Sequence, residues 1–274
     1  MQTLSKGIFL LLILLTNACC HGQSADEKRP LVLITTDFGV MKIALYNETP
    51  KHRDNFLRLA KSGYFDGVLF HRVIKEFMIQ GGDPDTRNAQ PGQRLGDGGP
   101  GYEIDNEINP TLLHKKGALA AARQSDNINP EKKSSGSQFY IVQGVVFPSN
   151  NLLQLETEGT QRLAQSIMRQ LSRENNDSLT LYRQTNNKIA FDKLATALQT
   201  LAIVKAKEKP FKLSDEQRAL YTTVGGTPHL DGNYTVFGEV VEGLSIIDSI
   251  ASQRTGAADR PLRDIKMTVK VIKE

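Results

Sequence analysis

The residues of this chain whose types and spacing suit chemistry lie in one run, Phe70-His71-Arg72-Val73-Ile74-Lys75-Glu76-Phe77-Met78-Ile79-Gln80-Gly81-Gly82-Asp83-Pro84. Two short strands joined by a polar elbow are predicted here. Alternation sets Phe70, Arg72 and Ile74 on one face of the first strand and Met78 and Gln80 on one face of the second, and Gly81-Gly82 ends the pairing. A guanidinium therefore stands near aromatic, thioether and amide side chains. A half-buried arginine must keep its donors bonded; Phe77 and Met78 offer no good acceptor, and Gln80 does. The competing reading is a strand arginine paired with a surface carboxylate.

Other chemistries find little support. The chain has 274 residues, 39% hydrophobic and 23% charged, an ordinary globular composition that can bury a sizeable core. Its formal net charge of +4 comes from lysines and arginines interspersed with acids, so no nucleic-acid partner is expected. The basic run His114-Lys115-Lys116 reads as a solvated turn. Both cysteines, Cys19 and Cys20, end the leader, and the five histidines lack ligand spacing, so neither a disulfide framework nor a metal site is expected. Gly96-Asp97-Gly98-Gly99-Pro100-Gly101 lacks the flanking strand, helix and lysine of a phosphate loop and reads as a turn. No cofactor is expected.

The elements that must position the central run follow from periodicity. Leu31 to Thr36 and Val40 to Tyr46 are β-rich runs around the short connection Asp37-Phe38-Gly39, which predicts an antiparallel hairpin. Thr49-Pro50 opens a helix with a Phe56, Leu59, Ala60 stripe, and Gly63 stops it. Asp83 to Gly101 is loop by composition, and Gly117 to Ala122 is small-residue strand whose Ala121 or Ala122 lines a groove or packs tightly in a core. In the run from Ser137 to Ile141, Gln138 and Tyr140 share one face and Phe139 takes the other, core-facing one. From about 147 to 221 the sequence turns helical, with stripes Leu163, Ile167, Leu171 and Leu194, Leu198, Leu201, a polar break at Glu174 to Asp177, and a capping box of Ser214 with Gln217. A strand through Tyr234 to Val241, a helix carrying Leu244, Ile247 and Ile250, and a last strand around Ile265 to Ile272 complete the chain.

The central run closely resembles the core signature of the cyclophilin-type peptidyl-prolyl cis-trans isomerases. Further matches follow in order at Gly117 to Arg123, Ser135 to Ile141 and Leu230 to Val240, so that the resemblance covers roughly residues 31 to 146 and 223 to 274. It implies a mainly β fold, a closed antiparallel barrel capped by two helices, over residues 30–274, with an inserted α-helical segment at 147–221 that minimal members lack. It implies proline-containing polypeptides as substrates, catalytic roles for Arg72, Phe77 and Gln80, and substrate contacts for Met78, Ala122, Arg123, Gln138, Tyr140, His229, Leu230 and Tyr234. Arg72 would bond the twisted prolyl amide and Gln80 would orient it, while Phe77, Met78, Tyr140 and Leu230 would form the proline socket. Three positions depart from the family pattern: Tyr140 for the usual phenylalanine, His229 for the tryptophan frequent in drug-binding members, and Arg123 for a common asparagine. A buried tyrosine hydroxyl in the socket needs a partner.

Residues 1–18 have the form of an export signal: Lys6, an apolar run from Ile8 to Leu15, then Thr16-Asn17-Ala18 before Cys19. The run is too short to span a bilayer as a helix. The small residue before cysteine resembles a bacterial lipobox, although Thr16 stands where an aliphatic residue is commoner. Cys19 is thus the expected lipidation site and residues 19–29 a polar tether, with plain secretion as the alternative. The expected protein is a monomeric isomerase of the cell envelope, anchored to a membrane and assisting the folding of exported proteins. The rivals are a non-catalytic proline-peptide-binding or holdase module that works through its helical segment, and a structural envelope lipoprotein.

Overall fold

The computed structural model describes residues 29–274 except Pro91. The export signal, Cys19 and nearly all of the tether lie outside the described residues. Strands β1 (Leu31–Thr36) and β2 (Gly39–Leu45) form the expected hairpin, and β3 (Val68–Ile74) pairs with β4 (Met78–Gly81) across the elbow. With β6 (Ala118–Ala121), β8 (Phe139–Val142), β9 (Val236–Glu242) and β10 (Lys266–Lys273) they close an antiparallel barrel in the order β1-β10-β3-β4-β8-β6-β9-β2. A two-residue ladder joins β5 (Glu103–Ile104) to β7 (Ser134–Ser135) outside it. Helices α1 (Pro50–Lys61) and α6 (Leu244–Ala251) pack on the barrel. The expected mainly β barrel is the fold observed.

Closure follows from strands that are apolar on both faces. On β4, β6 and β8 the residues Ile79, Leu119, Ala121, Phe139 and Ile141 point into the barrel core. Their neighbours Met78, Ala118, Ala120, Tyr140 and Val142 build a second buried cluster outside the wall. The expected outward face of Tyr140 and inward face of Phe139 are both present, and Ala121 goes to the core while Ala122 flanks the second cluster. Phe139 meets Phe56 at 5.4 Å, Phe65 at 5.7 Å and Phe70 at 6.2 Å, all edge-on, a favourable ring geometry.

One local expectation needs correction. Phe70 does not share a face with Arg72: the register shifts between them, so Phe70 enters the barrel core while Arg72 and Ile74 stay on the outer side. A bulge of this kind re-aims a side chain relative to strict alternation. Thr49-Pro50 opens α1 as expected; Thr49 makes no side-chain cap, and the first-turn N–H groups of Lys51 and His52 donate to Glu107 at 3.0 Å each.

Between β8 and β9 the chain forms α2 (Leu152–Glu174), α3 (Asn176–Gln184), α4 (Lys188–Glu208) and α5 (Asp215–Thr223). Leu171, Leu198 and Ala202 bury one another, with Ile167, Leu179 and Leu194 against them. Leu201, assigned to that stripe by spacing, is exposed and Ala202 takes the buried place. The Ser214–Gln217 capping box forms in full at the start of α5. Both ends of this segment leave the barrel at one point, where Gly226 donates to Val145 O at 3.0 Å and Gly144 packs directly on Gly226. Gly144 has φ +62°, and a Cβ there would collide with the Gly226 backbone, so the crossing requires glycine.

Phe139→Ala empties the centre of the aromatic cluster. Urea unfolding of the variant is expected to give a stability loss of about 3–5 kcal/mol against the parent.

Candidate active site

The outer faces of β4 and β8 floor a pocket of about 170 Å³. Met78 and Tyr140 lie at its base, and Phe77, from the β3–β4 elbow, and Leu230, from a 3-10 turn at Pro228–Leu230, form walls. Ala122 and Tyr234 border it opposite Arg72 and Gln80. Arg72, Phe77, Met78, Gln80, Ala122, Arg123, Tyr140, Leu230 and Tyr234, residues named from sequence, all line this one pocket. Gln138 and His229 stand next to it.

Arg72 is held from two sides. Its Nη1 donates to Gln80 Oε1 at 3.3 Å, and its Nε donates to Asp259 Oδ2 at 3.3 Å. The Gln80 amide in turn donates to Gln138 Oε1 at 3.2 Å, and the Gln138 amide donates to the carbonyls of Gly96 and Gly98 at 2.8 Å each. This chain fixes which end of Gln80 faces Arg72. A guanidinium carries five donors, and these bonds leave the others open to a ligand at a side chain that is 41% exposed. Arg72 thus satisfies both sequence readings, as a pocket donor and as a partner of a surface carboxylate. Asp259 has no local sequence signal; it sits at φ +58° beside Ala258 at φ +56°, in the loop before β10, the strand that pairs with β3.

Arg123 is more committed than its expected role requires. It pairs with Asp126 at 2.8 Å, donates to the carbonyls of Asn233 and Gln124 at 2.8 Å each, and lies over the Tyr234 ring at 4.5 Å. Its guanidinium braces Tyr234 at the pocket edge. His229 stacks on Phe77 with ring centres 5.5 Å apart. The ring is solvent-exposed and extends the Phe77 wall as a flat surface.

Tyr140 solves the problem that its hydroxyl poses. Burial holds its pKa well above the ordinary tyrosine value, and its oxygen lies 3.0 Å from His114 Nε2. His114 Nδ1 lies 2.9 Å from Asp231 Oδ1. A carboxylate only accepts, so Nδ1 donates to it, and in the neutral imidazole the Nε2 lone pair accepts the Tyr140 hydroxyl. His114 is therefore buried, 0% exposed, and the solvated turn expected from His114-Lys115-Lys116 is wrong at its first residue. Neither His114 nor Asp231 stood out by spacing; the need of a buried tyrosine for a partner was the one signal that could have found them. Among the described residues no three His, Cys, Asp or Glu side chains gather as a metal site.

The family model described as cyclophilin type peptidyl-prolyl cis-trans isomerase/CLD matches residues 31–153 and 154–271. A Staphylococcus epidermidis protein assigned by name as a peptidyl-prolyl cis-trans isomerase is 32% identical over 252 residues, 92% of this chain and 95% of its own. A Streptococcus pyogenes protein assigned as a bifunctional phosphatase/peptidyl-prolyl cis-trans isomerase is 34% identical over 242 residues, 86% of this chain; the chain spans only 37% of that protein. Among solved structures, a Cryptosporidium parvum cyclophilin-type peptidyl-prolyl cis-trans isomerase shares the fold, with a TM-score of 0.51 at 20% identity over 90% of this chain and 99% of its own. The same protein determined in the presence of the dipeptide Ala-Pro gives a TM-score of 0.51 at 21% identity, covering 89% of this chain and 99% of its own.

His71, beside Arg72, is buried, and desolvation pushes its pKa down to about 4 from 6.5. Above pH 6.5 the imidazole is neutral folded and unfolded alike; below it the unfolded chain takes up the proton first, so stability falls until the folded pKa is passed. His71 is expected to contribute a loss of about 2–3 kcal/mol between pH 7 and 4.5. Urea unfolding at the two pH values, beside His71→Gln, measures it as the part of the loss that the variant lacks.

Proposed function

The chain belongs to the cyclophilin-type peptidyl-prolyl cis-trans isomerase family, and on that premise we propose that this pocket speeds rotation about Xaa-Pro bonds in unfolded or loop segments of exported proteins. Amide resonance sets a barrier of roughly 18–20 kcal/mol and makes uncatalysed exchange slow, on the order of tens to hundreds of seconds. The reaction makes and breaks no covalent bond. What lowers its barrier is stabilisation of a twisted amide whose nitrogen has recovered its lone pair.

The observation that carries this reading is the oriented donor Arg72 in one small pocket with Phe77, Met78, Tyr140 and Leu230. In the proposed mechanism the proline ring sits on Met78 and Tyr140 between Phe77 and Leu230. Arg72 then donates to the prolyl nitrogen or its neighbouring carbonyl as the bond twists. The Gln80–Gln138 chain supplies preorganisation, so that no dipole has to turn during the reaction. His229 extends the Phe77 wall beside the ring.

The helices at 147–221 are proposed as an insertion relative to minimal family members, bordering the groove from the β8 side. The run from Ile8 to Leu15 followed by Ala18-Cys19 supports export and acylation of Cys19, with the protein working as a monomer on a membrane surface of the cell envelope.

Arg72→Ala is expected to lower kcat on a short Ala-Pro peptide about 100-fold while KM moves little, as for loss of a transition-state donor. Exchange NMR on the parent and variant side by side measures it; a folded parent that does not accelerate exchange refutes the isomerase reading for this substrate and leaves a proline-peptide binding module. Intact mass of the membrane-extracted protein is expected to equal the chain from Cys19 plus acyl groups, and a mass without them refutes the anchor.

A further inference from the structure

Helix α5 lies outside the barrel and lines no part of the pocket, yet hydrogen bonds run from it to the pocket floor. Its Tyr221 is 0% exposed and donates its hydroxyl to Asp231 Oδ2 at 2.6 Å. Gln217, one turn earlier, brings its amide to the same oxygen at 3.5 Å. The other carboxylate oxygen receives the ring and the backbone N–H of His114, each at 2.9 Å. His114 receives the Tyr140 hydroxyl. An unbroken chain, Tyr221–Asp231–His114–Tyr140, thus leads from the helical segment to the pocket.

Each link has a defined direction. Burial raises the pKa of Tyr221, so it remains a donor. Asp231 can only accept, which assigns the Nδ1 proton of His114, and in the neutral imidazole Nε2 is then the acceptor. The Tyr140 hydroxyl is thereby committed to buried His114, which leaves its ring face for the proline site. The Tyr221 backbone is pinned as well, since its carbonyl accepts from Phe147 N at 2.9 Å where the segment leaves the barrel. A residue needed only for packing would require no hydroxyl here.

We propose that Tyr221 is a positioning residue for the isomerase pocket: through Asp231 and His114 it keeps the Tyr140 hydroxyl directed away from the bound proline ring. The helical segment is then a working part of the pocket and not only an attachment. This rests on the isomerase reading above.

The test is a double-mutant cycle in the full chain, with Tyr221→Phe and Tyr140→Phe alone and combined. It is read as kcat/KM on the Ala-Pro peptide and as ¹⁵N shifts of the His114 ring. With Tyr140 present, Tyr221→Phe is expected to lower kcat/KM about fivefold, the size of one buried hydrogen bond, mainly through KM, and to shift the His114 nitrogens. In the Tyr140→Phe background, with no hydroxyl left to orient, the same change is expected to cost less than about twofold. Equal losses in both backgrounds, or His114 nitrogens unmoved by Tyr221→Phe, overturn the proposal. If the parent shows no isomerisation, the isomerase reading fails separately, and the relay is still judged by the nitrogen shifts and by peptide affinity. Thermal melting checks that Tyr221→Phe is folded; if it is not, Asp231→Asn, which removes the charge that fixes His114, carries the same expectations.

Discussion

Strands β4, β6 and β8 are buried on both faces, and the register of their pairing decides which side chains fill the barrel and which make the pocket. Gln80 lies opposite Tyr140, Met78 opposite Val142, and Ala120 opposite Tyr140. A slip of one residue would exchange the two sets, putting Phe139 in the pocket and Gln80 in the core. The aromatic cluster of Phe56, Phe65, Phe70 and Phe139 prevents this, because burying those rings stabilises one register by several kcal/mol. The packing core and the site are two faces of the same strands, so the energy that folds the barrel also places the residues of the pocket.

A pocket that sets two guanidiniums beside apolar side chains has to satisfy many polar atoms nearby. A made hydrogen bond contributes about 0.5–1.5 kcal/mol, whereas a buried unmade one costs about 1–3 kcal/mol, so the second quantity dominates the design. Arg72, Gln80 and Gln138 form one chain that ends on backbone carbonyls of the glycine-rich loop. Tyr140, His114 and Asp231 form another on the opposite side. A further histidine beside the site, His71, is kept neutral by burial. Of the two guanidiniums that line the pocket, Arg123 is engaged by Asp126 and backbone carbonyls, and Arg72 is the one proposed to act on the substrate.

Loops and helices between strands tie these chains together. The Gly96–Gly98 loop receives Gln138, the turn at Asp259 receives Arg72, and helix α2 sends Arg169 to Asp126 at 3.1 Å, which in turn holds Arg123. Residues far apart in sequence thus share one site of roughly ten side chains, a rigid scaffold presenting loop-borne groups.

The sequence by itself determined the elements and most of the pocket. Alternating apolar residues specify β strands, the Asp37-Phe38-Gly39 connection specifies a hairpin, and Ser214 with Gln217 specifies a helix start, because these are local effects of backbone sterics and hydrogen bonding. The ordered motifs at Phe70 to Pro84, Gly117 to Arg123, Ser135 to Ile141 and Leu230 to Val240 carried the family and the names of the pocket residues. The tertiary structure decided the rest. The register shift at His71 sends Phe70 inward, which strict alternation could not express. Asp259 meets Arg72 across 187 residues, and His114 meets Asp231 across 117. Contacts at such separations are selected by closure of the whole barrel, and a buried donor accepts whichever partner that closure delivers; no spacing along the chain encodes the choice.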